Sequence, residues 1–424
     1  MKLWMASVVA FAGVVTASAE GVPAIDLGKR VCAVQEYGAK GDGTTLDTVA
    51  IQKAIDACSG ENGGIVKLAG AAKFISAPLV LKSHVTLEIS EGTTLEASTN
   101  HDDFPEMEQF HDKGRQSLLS ALNAEDITIR GGGVIDGRGE SWWPHRGPGE
   151  TRPRLVVFDH CKHVLVEGVT LQNSPMWQLV PYYSDDVIIR NVKVLAPAHS
   201  PNTDAIDPFS SSHVVIDHVF ADVGDDDIAI KSGAIGSPGP DEPSRDITIT
   251  DCTFLHGHGL SIGSEIAGGA GNIRAERIHF EGTDNGIRVK ANRDRGNDVG
   301  PLLFRDIDMK DVKNALIISE YYPKVLPPDS ELPQPVTRLT PHFHDITLEN
   351  VSAVGSASAG AIVGLPEAPI SGVVLRKVKI SAQHGMTIGY ASVSEEGLEV
   401  TVTEGQAIMN QAGAKIVNVP APKK

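Results

Sequence analysis

Apolar residues recur in this chain at the first, third, sixth and eighth positions of an eight-residue unit, with polar residues between them. "VLVEGVTL" from Val164 and "VIIRNVKV" from Val187 show the pattern most clearly. "ITITDCTF" from Ile247, "IRAERIHF" from Ile273, "LLFRDIDM" from Leu302, "ITLENVSA" from Ile346 and "VVLRKVKI" from Val373 repeat it, and "VVIDHVFA" from Val214 is a weaker copy. Spacings of two, three and two are not a helical period. Each unit predicts two short alternating strands joined by a bend, where the alternation slips at Asn, Asp, Gly or Arg.

From Val164 onward the units begin 23, 27, 33, 26, 29, 44 and 27 residues apart, which suits one turn of a parallel β-helix. A single turn cannot bury its apolar face, but stacked turns can, at the ordinary inter-strand spacing of about 4.8 Å. A leucine-rich-repeat horseshoe is the structural alternative; its Leu and Asn spacing is missing, and Val and Ile dominate the inward positions. The expected fold class is all-β, a single-stranded right-handed parallel β-helix. In "LDTVAIQKAIDAC", Asp47 stands as an N-cap before a stripe of Ala50, Ile51, Ala54, Ile55 and Cys58. That predicts an N-terminal amphipathic helix capping the unpaired strand edges of the first coil. From about Val400 the pattern gives way to a short cap and tail.

Residues 1–19 read as a secretory signal: Met1 and Lys2, an apolar run over 3–15, then Ala17, Ser18 and Ala19 as a cleavage pattern. The run is short for a membrane-spanning helix, so no membrane association is expected once it is removed. Residues 20–424 are expected to form one β-helix domain, secreted to the extracellular space or periplasm, and monomeric. Four cysteines are too few for a disulfide framework. Cys32 and Cys58 are near enough in sequence to pair, and Cys252 occupies an inward position as a buried thiol. The chain is 41% hydrophobic with 43 glycines and 25 prolines, consistent with a large core and frequent turns. A formal charge of −17 without a basic run argues against nucleic-acid binding.

A third strand follows each unit, with inward residues Ile206, Ile228, Leu260 and Ile287. Two places before each stands Asp204, Asp226, His258 or Asn285, so stacking sets these four in one column. Arg288 and Lys290 flank inward Val289 and therefore point outward. The run "GDDDIAIKSG" from Gly224 places Asp225, Asp226 and Asp227 against a groove containing His258, Arg288, Lys290 and Lys231. Crowded carboxyls repel one another, so one holds a proton while another stays ionised, the division of labour that glycosidic hydrolysis requires. Spacing alone leaves open a purely structural Asp/Asn ladder or a calcium site. Calcium accounts for the aspartates but not for the adjoining Arg, Lys and His.

Four motifs occur in order, one coil apart: Asn202-Thr203-Asp204, Gly224-Asp225-Asp226, Gly257-His258-Gly259 and Arg288-Val289-Lys290. With "GGGVIDGRGESWW", "VEGVTLQNSPMWQLVP" and "GHGLSIGSE", they make the chain similar to the polygalacturonase family, glycoside hydrolase family 28, over roughly residues 33–390. Ala205 stands where that family commonly has Gly, and Asp227 where it commonly has Cys. The resemblance implies Asp225 as general acid, Asp204 and Asp226 activating water in an inverting displacement, and His258 supporting the acid's protonation state. It implies that Arg288 and Lys290 hold a substrate carboxylate through charge-assisted bonds, with Asn202 and Tyr322 as further substrate contacts and Tyr321 beside the latter. It implies no metal and no cofactor. The implied partner is polygalacturonate or pectin, cleaved at α-1,4 galacturonosyl bonds. The net negative charge opposes approach of a polyanion, but local cations and salt screening offset it.

Two other activities fit parts of the pattern: a calcium-dependent pectate lyase acting by β-elimination, and a noncatalytic carbohydrate-binding or adhesive β-helix. Trp142 and Trp143 fit groove contact and packing equally, whereas Trp177 is expected to pack near a turn. The stretch "YYPKVLPPDSELPQPVTRLTPHF" begins beside Tyr322 and carries six prolines. Together with the Trp142–Trp143 loop it is expected to wall off one end of the groove, which favours exo-cleavage.

Overall fold

The computed structural model describes residues 30–419 apart from 61, 111, 146, 148, 328, 329 and 331; the expected leader at 1–19 lies outside the described residues. The eight-residue units stack as their pattern requires. Val164 pairs with Val187, Val187 with Val214, Val214 with Ile247, Ile247 with Ile273, Ile273 with Leu302 and Leu302 with Ile346, all in parallel. Thr347 pairs with Val374, so the unit at Val373 keeps the same register. The architecture is a parallel β-helix. Within a unit, inward Val164, Val166, Val169 and Leu171 are at most 2% exposed.

Position five of every unit is the bend. Gly168, Asn191, His218, Asp251, Arg277, Asp306, Asn350 and Lys377 have φ between 51° and 74°. One left-handed residue turns the strand and returns the next side chain to the interior, which is why the apolar spacing stretches from two to three there. The third strands form a second register, Leu179–Ile206–Ile228–Leu260–Ile287–Leu316, every member buried. This column carries the candidate site.

The helix Thr48–Cys58 closes the first coil with buried Ile51, Ala54, Ile55 and Cys58. A disulfide from Cys58 to Cys32, with Cα atoms 6.3 Å apart, fastens it to the strand Val31–Ala33. Cys161 and Cys252 are buried free thiols. Asp47 precedes the helix but does not cap it through its side chain. Its carboxylate instead accepts the N–H groups of Lys40 (2.7 Å) and Gly41 (2.9 Å), tying the preceding loop to the helix start.

The residue preceding several units is also left-handed: His84, Asp126, His163, Asp186, His213, Asp246 and Asn272 have φ of 51–63°. Asn, Asp and His tolerate this conformation better than other non-glycine residues. Alternating them sets imidazole against carboxylate from coil to coil. His84 and His163 lie 3.0 Å from the two oxygens of Asp126. His213 lies 2.7 Å from Asp185 and 4.0 Å from Asp246, with Asp186 also facing it. The hydrogen bond to Asp185 is the main reason that the His213 pKa is raised. The Asp185 carboxyl, pushed up by burial, is drawn lower by Ser212 and His213. A raised histidine contributes stability that is complete below its unfolded pKa and lost as pH rises through the folded one. His213→Asn keeps a residue suited to the backbone. The variant is therefore expected to lose about 0.2–1 kcal/mol, the range of an exposed ion pair, at about pH 5 and to match the parent above about pH 8. Denaturant melts at the two pH values check this; a loss independent of pH contradicts it.

Candidate active site

All eight residues singled out by sequence, Asn202, Asp204, Asp225, Asp226, His258, Arg288, Lys290 and Tyr322, line one cavity of about 300 Å³ on the outer face of the third-strand column. Backbone register brings them there. Ile206, Ile228, Leu260 and Ile287 occupy neighbouring coils, so Asp204, Asp226 and His258 stand at the same end of successive strands. Gly257 and Gly259 make the His258 turn possible. Both have positive φ, and a Cβ at Gly259 would fall 1.9 Å from the Asn285 carbonyl oxygen. The His258 N–H donates to the Asp225 carbonyl (2.8 Å), and its Nδ1 lies 3.0 Å from Asp225 Oδ1.

The three consecutive aspartates divide. Asp226 is buried and accepts Lys290 Nζ at 2.6 Å and Ser261 Oγ at 2.7 Å, with Arg288 at 3.9 Å. Burial pushes its pKa up, but Lys290, Lys231 and Arg288 outweigh this and hold it at about 2. Asp225 is partly exposed and is the carboxyl that meets His258. That contact is the main cause of the raised His258 pKa. Asp227 does not face the groove, contrary to expectation. It is fully buried, its Oδ2 accepts the Gly259 N–H at 3.0 Å, and burial drives its pKa well up. The turn directs its side chain into the coil, where a protonated carboxyl serves packing.

Asp204 carries the opposite tendency to Asp226. Burial, then the charges of Asp225 and Asp207, push its pKa well above the usual range, although Lys231 lies 3.7 Å away. Asp207, also buried, is raised by burial in the same way. The site thus contains a carboxylate held ionised beside carboxyls driven toward the neutral form. Lys231 is buried between Asp204 and Glu265, the latter at 3.5 Å. Arg288, Lys290 and Arg295 each lie 5.6 Å from the Tyr322 ring centre. Tyr321 turns inward onto Ala361, Val363 and Leu365 and does not line the cavity. Asn202 lines it, with Oδ1 taken by Arg152 at 2.6 Å.

The cavity is also lined by Met176, Trp177, Ser264 and Glu265, which the sequence reading did not place there. Trp177 packs beside the bend at Pro175 and Met176, as expected, and also belongs to the groove wall. Lys231 sits 5.0 Å from its ring centre and Arg154 4.5 Å. Trp142, by contrast, is buried against Phe104 and stacked on His101 at 3.5 Å, and Trp143 donates Nε1–H to the Ser174 carbonyl. Neither forms the expected end wall.

An antiparallel hairpin, Glu106–Gln109 with Asp112–Arg115, packs against the groove wall on the side away from Tyr322. Its Phe110 packs at 4.2 Å from the Tyr182 ring, 5.8 Å from Phe209 and 5.9 Å from Trp177, with Arg154 3.9 Å from its own ring. Tyr182 and Phe209 belong to the coils on the N-terminal side of Ile228. No alternation marks so short an insertion, which is why sequence periodicity missed it. On the other flank, Asn292 Nδ2 donates to the Tyr322 carbonyl and the Gly296 N–H to Leu339. Arg338 reaches Ser237, Asp241 and the Ala267 carbonyl. The proline-rich excursion is thereby fastened to the loops of preceding coils.

Comparison with known proteins agrees with this geometry. Glycosyl hydrolases family 28 matches residues 62–412. A probable polygalacturonase of Vitis vinifera is 30% identical over 91% of this chain and 82% of its own length. An endo-polygalacturonase of Pectobacterium carotovorum subsp. carotovorum is 32% identical over 67% of this chain and 74% of its own. The crystal structure of a hyperthermoactive exopolygalacturonase from Thermotoga maritima superposes with a TM-score of 0.79 at 26% identity, covering 88% of this chain and 92% of that one. The chain belongs to glycosyl hydrolases family 28 and is a glycoside hydrolase.

Proposed function

We propose that the protein hydrolyses α-1,4 galacturonosyl linkages of polygalacturonate or pectin with inversion, and that it works outside the cytoplasm. The observation that carries this reading is the contrast in surroundings between Asp226, held ionised by Lys290, and Asp225, bonded to His258, in a cavity rimmed by cations. Asp225 donates a proton to the leaving oxygen. Asp226, assisted by Asp204, receives the proton of an attacking water. Arg288 binds a uronate carboxylate, a role supported by its place in the cavity lining beside Tyr322. A pectate lyase reading fits less well, because Lys231, Arg288 and Lys290 occupy the surroundings of the acids where calcium would need uncompensated carboxylates. Export draws support from the Cys32–Cys58 disulfide, which persists in oxidising compartments.

We further propose cleavage from a chain end. The reading is supported by Trp177, which lines the cavity, and by the Phe110 hairpin packed against it; on this reading they close the groove on the N-terminal side of the acids. Digestion of polygalacturonate is expected to release monomer or dimer from the earliest times with slow viscosity loss and no ultraviolet-absorbing unsaturated end. Rapid viscosity loss with a ladder of oligomers contradicts the exo mode, and a chelator-sensitive unsaturated product contradicts hydrolysis itself.

Two substitutions test the assigned roles. Asp225→Asn is expected to cut kcat by about 10²–10⁴-fold with melting unchanged, the usual worth of a positioned proton donor. Near-parental turnover contradicts that role. Lys290→Met removes the strongest influence opposing burial of Asp226, so the Asp226 pKa rises and the acid limb of the kcat/KM profile moves to higher pH. An acid limb that stays in place contradicts the pairing.

A further inference from the structure

The proline-rich excursion rejoins the helix at the two-residue strand His342–Phe343, which pairs in register with Asp298–Val299: Asp298 faces His342 and Val299 faces Phe343. Phe343 and Val299 are buried, so His342 and His344, on either side of Phe343, stand on the outer face with Asp298. The Asp298 carboxylate spans both rings: Oδ1 lies 2.9 Å from His342 Nδ1 and Oδ2 lies 3.3 Å from His344 Nε2. One ligand atom from each residue lies within 4.8 Å of the other two. The remaining nitrogen of His344, Nδ1, is 2.9 Å from the Asp345 carboxylate. With Nδ1–H donating to the Asp345 carboxylate, Nε2 on the Asp298 side is the ring nitrogen turned toward a metal. This is the outer-shell arrangement that orients a metal-binding imidazole. Gly300 leaves space for the ring, since a Cβ there would lie 3.0 Å from His344 Cε1.

Two other His–carboxylate clusters lack these properties. In Asp217–His218–Asp251, Arg277 already holds Asp251 through Nε (2.8 Å) and Nη2 (2.7 Å). In Asp225–Asp226–His258, Lys290 holds Asp226. Among the described residues, the ion pairs of Asp298 and Asp345 are with His342 and His344 alone. A negative, donor-rich cluster on paired strands, with Asp298 and His342 open to solvent, has both the ligands and the entry path that a metal site needs.

We propose that Asp298, His342 and His344 bind one divalent transition-metal ion of the zinc class, apart from the catalytic cavity. Two imidazoles and a carboxylate suit Zn²⁺, Co²⁺ or Ni²⁺ rather than the all-oxygen preference of Ca²⁺ or Mg²⁺, with water completing the coordination. The ion joins the end of the excursion that begins at Tyr322 to the preceding coil, so its occupancy stabilises the flank of the groove.

The test is isothermal titration of ZnCl₂ into the untagged, chelator-treated full chain, with thermal melting in parallel. The parent is expected to bind about one equivalent and to melt at a higher temperature with zinc. Asp345→Asn is expected to weaken binding by about tenfold or more, as loss of an outer-shell carboxylate does. His342→Ala/His344→Ala and, separately, Asp298→Asn are expected to lose that equivalent while melting as the parent does in chelator. Absence of binding by the parent at tens of micromolar zinc overturns the proposal. So does an equivalent that survives both the double substitution and Asp298→Asn, which would place the metal elsewhere.

Discussion

Parallel pairing of inward residues from coil to coil is the constraint from which the rest of this molecule follows. Each coil fixes its neighbour at one strand spacing, so a side chain's position along the groove is set by which coil carries it and not by its distance in sequence. Lys290 and Asp226 are 64 residues apart and meet at 2.6 Å because Ile228, Leu260 and Ile287 pair in succession. Their union is a buried ion pair, whose desolvation largely cancels its attraction. Such a pair is a poor means of holding a β-helix together. Its consequence is chemical, since it keeps one carboxylate ionised in surroundings that would otherwise protonate it.

The same rigid column accounts for the contrast among the acids. Asp226 is matched by Lys290 and Arg288, both from the strand two coils on, whereas Asp204 and Asp207 depend on the ammonium of Lys231, which Glu265 also engages. Burial therefore wins at Asp204 and loses at Asp226. Asp225 differs from both in being partly exposed and bonded to His258. The flanking walls are built differently: one from aromatic and cationic packing around Phe110, the other from loops bound through Arg338 and Asn292.

Much of this was legible in the sequence because burial writes itself as periodicity. Inward Val, Ile and Leu recur wherever coils stack, so the units from Val164 to Val373 and the column Ile206–Ile287 could be aligned before any coordinates. Polar residues fixed relative to that column, such as Asp204, Asp226 and Lys290, followed from it. What could not be read was decided at turns. Asp227 looked like its neighbours but turned inward, Asp47 satisfied a loop instead of the helix, and Trp177 joined the groove while Trp142 left it. The Phe110 hairpin departs from the repeat altogether. The left-handed positions before and within each unit carried a clue in their Asn, Asp and His content, but many residue types fill them, as Arg277 and Lys377 show.

The central claim is that Asp225 and the ionised Asp226 act on opposite faces of the sugar, with water between carboxylate and anomeric carbon. The anomeric configuration of the first product tests it most directly. Proton NMR during early hydrolysis of an α-1,4-linked galacturonate oligomer should show the new reducing end appearing first as the β-anomer, before mutarotation. An α-anomer formed first would mean a covalent glycosyl intermediate and two displacements at one carbon, which contradicts the roles assigned to these aspartates.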